Sequence, residues 1–141
     1  MYSKHENNRF KLSKRNIDTI VKDINEIMDL DITKRTRKRN VVEPRQILQG
    51  FLYYRTVLTS SYIAEYFEMN HASVLHSCKL YFDLQSYFKG KYKNLYRYLG
   101  QVELKYSDEY AKRSYYINSI NATLENKSVK ALRDINRILN V

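Results

Sequence analysis

Cysteine, proline and glycine are scarce in this chain of 141 residues, which has one Cys, one Pro and three Gly. A lone cysteine, Cys78, cannot close an internal disulfide, and so few chain breakers do not suit the many turns of a β-sandwich. The longest apolar stretch, near Ile47 to Tyr54, is interrupted by Gln49 and Gly50 and is well short of the roughly 18 residues that span a bilayer. The sequence therefore predicts an all-α protein that does not cross a membrane.

Signatures of enzymes and metal sites are also missing. The three glycines stand alone, so no phosphate-binding G-x-x-x-x-G-K-[ST] loop exists. His71, His76 and Cys78 are the closest group of metal-ligating types, but a spacing of five turns the two histidines roughly 140° apart on a helix. Helical periodicity places Cys78 in the core, where a thiol is usually inert. We expect no enzyme activity, no cofactor and no metal.

Positive charge is abundant, with 25 Lys and Arg against 15 Asp and Glu and a net charge of +10. A polyanion is therefore the first partner to consider, with nucleic acid ahead of a membrane surface. Residues 1–8 are polar where a signal peptide needs an apolar core, which together with the lone Cys78 favours a reducing cytoplasm.

Apolar spacing of three and four residues predicts a first helix from about Ile17 to Leu30. Five cations in six positions then predict an exposed basic loop up to Asn40: Lys34, Arg35, Arg37, Lys38 and Arg39. Pro44 suits the first turn of a second helix, which ends near Arg55. Arg45, at the start of that helix, either holds a phosphate or lies on a solvent face.

Two short helices separated by a tight turn predict a helix-turn-helix motif. Thr59, Ser60 or Ser61 caps the first of them, and Asn70 caps the second. The second helix turns four residues inward, which are Val74, Cys78, Tyr81 and Phe82. Its opposite side exposes Ala72, Ser73, His76 and Lys79.

A recognition helix reads base edges in the major groove with its N-terminal residues, while an arginine-bearing segment can enter the minor groove. In the first turn, His71 offers a ring donor, Ala72 a methyl group and Ser73 a hydroxyl. Lys79 is placed to meet a phosphate, and His76 either contacts DNA or packs locally. The partner expected from these residues is double-stranded DNA.

Amphipathic spacing continues beyond Gly90, with a short helix up to Leu99 and further helices over residues 106–124 and 129–138. The predicted division is an N-terminal arm at 1–16, a helix-turn-helix domain at 17–100 and a helical extension at 101–141. The extension either enlarges the core, pairs two copies as a homodimer on a palindromic or doubled site, or binds a replication or transcription protein.

Three ordered blocks of sequence resemble a known family. The segment Asn70–Lys79, NHASVLHSCK, resembles the D-H-T-T-V-L-H-A-C-R signature of the C-terminal DNA-binding domain of the bacterial replication initiator DnaA. Upstream, Pro44-Arg45-Gln46 resembles the P-R-Q of that domain, and KRTRKRN resembles its basic loop. The helix from Ile17 and the segment YKNLYRYL extend the resemblance to about residues 17–100.

The resemblance implies a Trp-repressor-like helix-turn-helix bundle that is followed here by additional C-terminal helices. It assigns base reading to residues 70–73 and minor-groove reading to Arg37 or Arg39. Asn70 replaces an acidic residue and Ala72 a threonine, so the hydrogen-bonding pattern differs from that of the initiator. The turn before Asn70 is one residue shorter and lacks the family's glycines.

Only sixteen residues precede Ile17, which leaves no room for the AAA+ ATPase domain of the initiator. We therefore expect a stand-alone module of the kind that suits phage or mobile-element genomes, acting as a replication accessory or transcription regulator. Two alternatives stay open. One is a protein that coats DNA without base preference, for instance in a virion, and the other is an adaptor that binds a replication or transcription partner.

Overall fold

The structure is a computed structural model that describes residues 9–107 and the single residue Ile117. Its six helices are α1 (Lys14–Met28), α2 (Arg39–Arg55), α3 (Ser60–Phe67), α4 (His71–Asp83), α5 (Gln85–Lys91) and α6 (Lys93–Tyr106). The all-α prediction is confirmed. Within residues 9–107, extended pairing is limited to one isolated bridge between Phe10 and Thr56.

The first helix has well-defined ends. Ser13 and Asn16 form a reciprocal capping box, in which the Ser13 side chain accepts from the Asn16 N–H at 3.1 Å and the Ser13 N–H donates to Asn16 Oδ1 at 3.0 Å. The helix begins three residues before the predicted start and ends at Met28, where Asp29 adopts a left-handed conformation with φ 54°. The predicted apolar face is confirmed, since Ile17, Ile20, Val21 and Ile24 are buried.

The start of α2 corrects two predictions. Lys38 is the N-cap, and its carbonyl accepts from Val41 N–H and Val42 N–H at 3.0 and 2.9 Å, so Arg39 and Asn40 belong to the helix and not to the loop. Pro44 consequently lies in the second turn. It lacks the N–H that would bond the carbonyl of Asn40.

The most extensive packing of the described part is between α2 and α4. Gly50 makes this approach possible, because a Cβ at this position would overlap Cβ and Cγ of Tyr81. Val74, Ser77 and Cys78 of α4 are buried against this face, as predicted for Val74 and Cys78. Helix α4 is therefore held against a glycine in the middle of α2.

Of the two aromatic residues of α4 that were predicted to turn inward, Tyr81 is partly buried and packs against the core. The prediction for Phe82 is wrong, because this residue is 46% exposed. On a helical wheel Phe82 falls about 80° from Val74, at the edge of the packed face, where its ring lies 6.0 Å from that of Tyr54. Tyr81 stacks between Tyr54 and Tyr96, with centroid distances of 6.1 and 6.3 Å.

Within the described residues, two helices follow α4: α5 was not predicted, and α6 contains the helix predicted up to Leu99 but ends later. Gly90 lies inside α5, and α6 continues through Gly100 to Tyr106. A bidentate ion pair of Arg55 with Glu103, at 2.7 and 2.9 Å, joins α6 to the end of α2. Tyr98 Oη donates to Asp23 at 2.7 Å and joins α6 to α1. The helix predicted over 106–124 lies outside the described residues apart from Tyr106, Ser107 and Ile117, and the helix predicted over 129–138 lies wholly outside them.

Glu43 of α2 holds α5 and the start of α6. Its carboxylate accepts from Tyr92 Oη at 2.6 Å, from Lys91 Nζ at 2.9 Å and from Tyr87 Oη at 3.1 Å. Burial alone would raise the pKa of Glu43, but the hydrogen bonds from these three groups outweigh it and hold the pKa below the ordinary value of 4.5.

Replacing Glu43 by glutamine is expected to lower the free energy of unfolding near neutral pH but not in acid. Because the pKa of Glu43 is lower in the folded protein, its contribution is fully present above the unfolded value and is lost as the pH falls through the folded value. Urea unfolding of both proteins at about pH 7 and about pH 3 measures the difference. A gap of equal size at both pH values would contradict the assignment.

Candidate nucleic-acid interface

The N-terminal tip of α4 faces solvent. His71, Ala72 and Ser73 form the first turn, and all three are exposed. Asn70 is the N-cap, as predicted, with its Oδ1 accepting from the Ala72 N–H at 2.7 Å. Its side-chain oxygen is therefore engaged in starting the helix, and its amide nitrogen is the group left to act as a donor.

The turn between α3 and α4 is tight. Thr59 caps α3 by accepting from the Tyr62 N–H at 3.1 Å, and Glu68 ends the helix in a left-handed conformation with φ 53°. Only Met69 and Asn70 then separate the end cap from α4. Ile63, Ala64 and Phe67 are buried, so the predicted helix-turn-helix motif is confirmed.

The imidazole of His71 is tied to the start of α3. Its Nε2 lies 2.7 Å from Ser60 Oγ, and the two residues are the first residues of α4 and α3. The pair thus joins the two helix tips across the turn. Ser60 was predicted only as one of three candidate caps, a role that Thr59 fills, and nothing in the sequence indicates this contact.

The second turn of α4 borders a groove. His76 is exposed here, and Lys79 is exposed one turn further on. The groove runs between α2 and α4 and is lined by Val42, Arg45, Gln46, Met69, Ala72, Ser73, His76 and Ser77. Gln46 and Met69 were not predicted as site residues, because their place beside α4 depends on how α2 packs against it.

The basic loop is fixed to the fold by two predicted DNA ligands, Arg35 of the loop itself and Arg45 of α2. Arg45 donates from Nη1 to the carbonyls of Ile32 and Lys34 at 3.1 and 3.0 Å, and burial lowers the pKa of its guanidinium. Arg35 donates from Nη2 to the carbonyl of Glu68 at 3.3 Å, in the turn before α4. Arg45 is half-buried. It holds the loop backbone, a role that was not predicted beside phosphate binding or a position on a solvent face.

The remaining loop cations point outward. Arg37 and Lys38 are exposed, and Arg39 is exposed on the first turn of α2. A second groove connects the loop with the helix-turn-helix, and it is lined by Thr33, Arg35, Thr36, Arg37, Arg45, Phe67, Glu68 and Met69. Met69 and Arg45 border both grooves. The structure therefore brings the basic loop and the tip of α4 to one continuous surface.

A different groove, along α1, is lined by three acids, Asp18, Glu26 and Asp29, together with Lys22 and with Tyr66 of α3. Tyr66 Oη donates to Asp18 at 2.6 Å, and burial together with this carboxylate raises the pKa of Tyr66, so the phenol keeps its proton. These acids would repel phosphates, which leaves the loop side as the surface suited to a polyanion.

The metal-ligating types of side chain that the sequence singled out, His71, His76 and Cys78, do not converge in the structure. Residues 9–107 and Ile117 contain no group of three or more His, Cys, Asp or Glu placed to hold a metal. His71 and His76 are exposed, while Cys78 is buried, with its Sγ 3.9 Å from the Gln49 carbonyl. Across the same residues, no helix combines the length and the apolar character needed to cross a bilayer.

Comparison with protein families assigns residues 15–80 to the helix-turn-helix of the bacterial DnaA protein. The matched segment runs from the start of α1 through the basic loop and into the third turn of α4, so it holds every predicted site residue. Neither the curated proteins nor the solved structures contain a match. The resemblance read from the sequence is confirmed for this segment.

Proposed function

We propose that the protein binds a specific sequence of double-stranded DNA. The proposal starts from the match of residues 15–80 to the DnaA-type helix-turn-helix, which is a DNA-binding module. One observation carries the proposal. The exposed tip of α4 and the exposed cations of the basic loop share a surface, and Arg45 and Arg35 hold the loop in place. A reader that is ordered before binding loses less entropy when it binds.

Major-groove reading is proposed for the first turn of α4. The His71 ring and the Asn70 amide offer donors, the Ser73 hydroxyl is both donor and acceptor, and the Ala72 methyl suits a thymine methyl. All four residues are exposed. His76 and Lys79, further along α4, are then placed near phosphates.

Minor-groove reading is proposed for Arg37. Arg37 lies in the extended loop, whereas Arg39 is fixed on the first turn of α2 and Arg35 is engaged by the Glu68 carbonyl. A narrow minor groove attracts an arginine that can extend into it. Lys38 and Arg39 would meet the flanking phosphates, and Arg45 and Arg35 would act mainly by holding the loop.

Selection of bound duplexes from a random pool tests sequence specificity. We expect enrichment of a short motif by the full chain, and its loss when Ala72 is replaced by glutamate. A pool that stays featureless while the protein still binds it would overturn base reading. It would favour a protein that coats DNA through charge alone.

Phosphate contacts predict a salt-dependent affinity. The logarithm of the association constant should fall with the logarithm of salt by about 0.9 per phosphate neutralised, and Lys79→Gln should reduce that slope by about 0.9 for every sequence. Lys22→Gln is the matched control, because Lys22 is an exposed lysine among the acids of α1. Equal slopes for wild type and Lys79→Gln in fluorescence anisotropy titrations would remove Lys79 from the interface.

We propose that the protein acts inside a cell as a replication accessory or transcription regulator. Pairing of two copies or capture of a partner protein by residues 101–141 stays a prediction, because most of that segment lies outside the described residues. Sedimentation of the full chain with and without duplex measures the pairing.

A further inference from the structure

Two capped helix ends meet at Ser60 and His71. Thr59 fixes the backbone at the start of α3, and Asn70 fixes it at the start of α4. The contact of 2.7 Å between Ser60 Oγ and His71 Nε2 therefore joins side chains whose backbones are already held. Among the described residues, Ser60 is the hydrogen-bond partner of the imidazole.

We infer that Ser60 is a specificity-determining positioning residue, which holds the His71 ring in one orientation and keeps Nδ1 for the DNA. The inference rests on the proposed function, because it explains how one of the base-reading side chains is oriented. The bond occupies Nε2 whichever of the two groups donates, since a hydroxyl can give or accept a hydrogen bond. A base edge then meets Nδ1.

Orientation matters because the two nitrogens of a neutral imidazole differ. One carries the proton and donates, and the other accepts, so a ring that turns over offers a base the opposite hydrogen-bonding group. An exposed ring without a partner must also be ordered when DNA binds. Removing the hydroxyl should therefore reduce the preference for the selected duplex over random duplex by about three- to tenfold.

A double-mutant cycle separates positioning from direct contact. The variants are Ser60→Ala, His71→Ala and the two combined, each measured on the duplex selected by the wild type and on random duplex. If Ser60 acts through His71, Ser60→Ala reduces the preference in the wild-type background and changes nothing further once His71 is alanine. A reduction that persists in the His71→Ala background would mean that Ser60 contacts DNA itself, which overturns the inference.

Two further variants serve as controls. Ser61→Ala removes a neighbouring exposed hydroxyl from the same first turn of α3 and should keep the full preference. Ser60→Thr retains the hydroxyl and should also keep the full preference for the selected duplex. If Ser60→Ala lowers the melting temperature, Ser60→Thr becomes the decisive variant. Loss of the preference in Ser60→Thr, with the fold intact, would overturn the inference.

Imidazole ¹⁵N shifts in the DNA-free protein provide a readout that does not depend on DNA binding. Ser60→Ala should move the Nε2 resonance of His71 and leave that of His76 in place. Unchanged His71 shifts would overturn the inference. If the wild type shows no preference among duplexes, the proposed function fails; if it shows one that Ser60→Ala retains in full, only this inference fails.

Discussion

Replacing Gly50 by alanine is expected to destabilise the folded protein by about 2–3 kcal/mol. The new methyl would overlap Cβ and Cγ of Tyr81, and rotation of the side chain cannot relieve the overlap with Cβ, which is fixed by the backbone of α4. The only relief is to move α4 away from α2. A gain of up to about 1 kcal/mol in helix propensity, which alanine brings over glycine, is smaller than this cost.

Urea unfolding measures the effect, and Gly100→Ala is the matched control. Gly100 is exposed in α6, and a Cβ there would meet nothing within 4 Å, so the same substitution should stabilise by about 0.5–1 kcal/mol. Opposite signs for the two variants are therefore expected. If Gly50→Ala were as stable as Gly100→Ala, the close packing of α2 against α4 would be wrong.

Gly50 also shows which features of the fold could not be predicted from the sequence. Local signals predicted what depends on neighbours in the chain, such as the cap at Asn70, a cap of α3 among residues 59–61 and the apolar face of α1. In the sequence, Gly50 is visible only as an interruption of an apolar stretch. Nothing nearby indicated that Tyr81, which is 31 positions away, would require the absence of a side chain.

The candidate site likewise has features that could be predicted from the sequence and features that could not. Exposure of the residues after Asn70 followed from helical spacing, and the exposure of Arg37 and Lys38 followed from the lack of apolar neighbours. The clamp of Arg45 on the loop and the pairing of Ser60 with His71 could not be predicted, because each joins residues from different elements. Charge density therefore indicated the interface, while tertiary packing determines which cations project outward and which hold the loop.

Replacing Ser73 by glutamate is expected to reduce affinity for the selected duplex at least about 100-fold. The carboxylate would stand on the exposed first turn of α4, where it would face base acceptors and the phosphates that flank the groove. Ser73 occupies the third helical position after the Asn70 cap, where an acid interacts favourably with the helix dipole. The melting temperature should therefore hold or rise while binding is lost.

Ser86→Glu is the control that separates the effect of the position of the new charge from the effect of the change in net charge. Ser86 is exposed on α5, so both variants change the net charge equally and both leave the core untouched. Anisotropy titrations with selected and random duplex should show a small loss for Ser86→Glu, equal on both probes, and a much larger loss for Ser73→Glu on the selected duplex. Equal losses for the two variants would mean that net charge alone governs binding, and α4 would lose its assignment as the recognition helix.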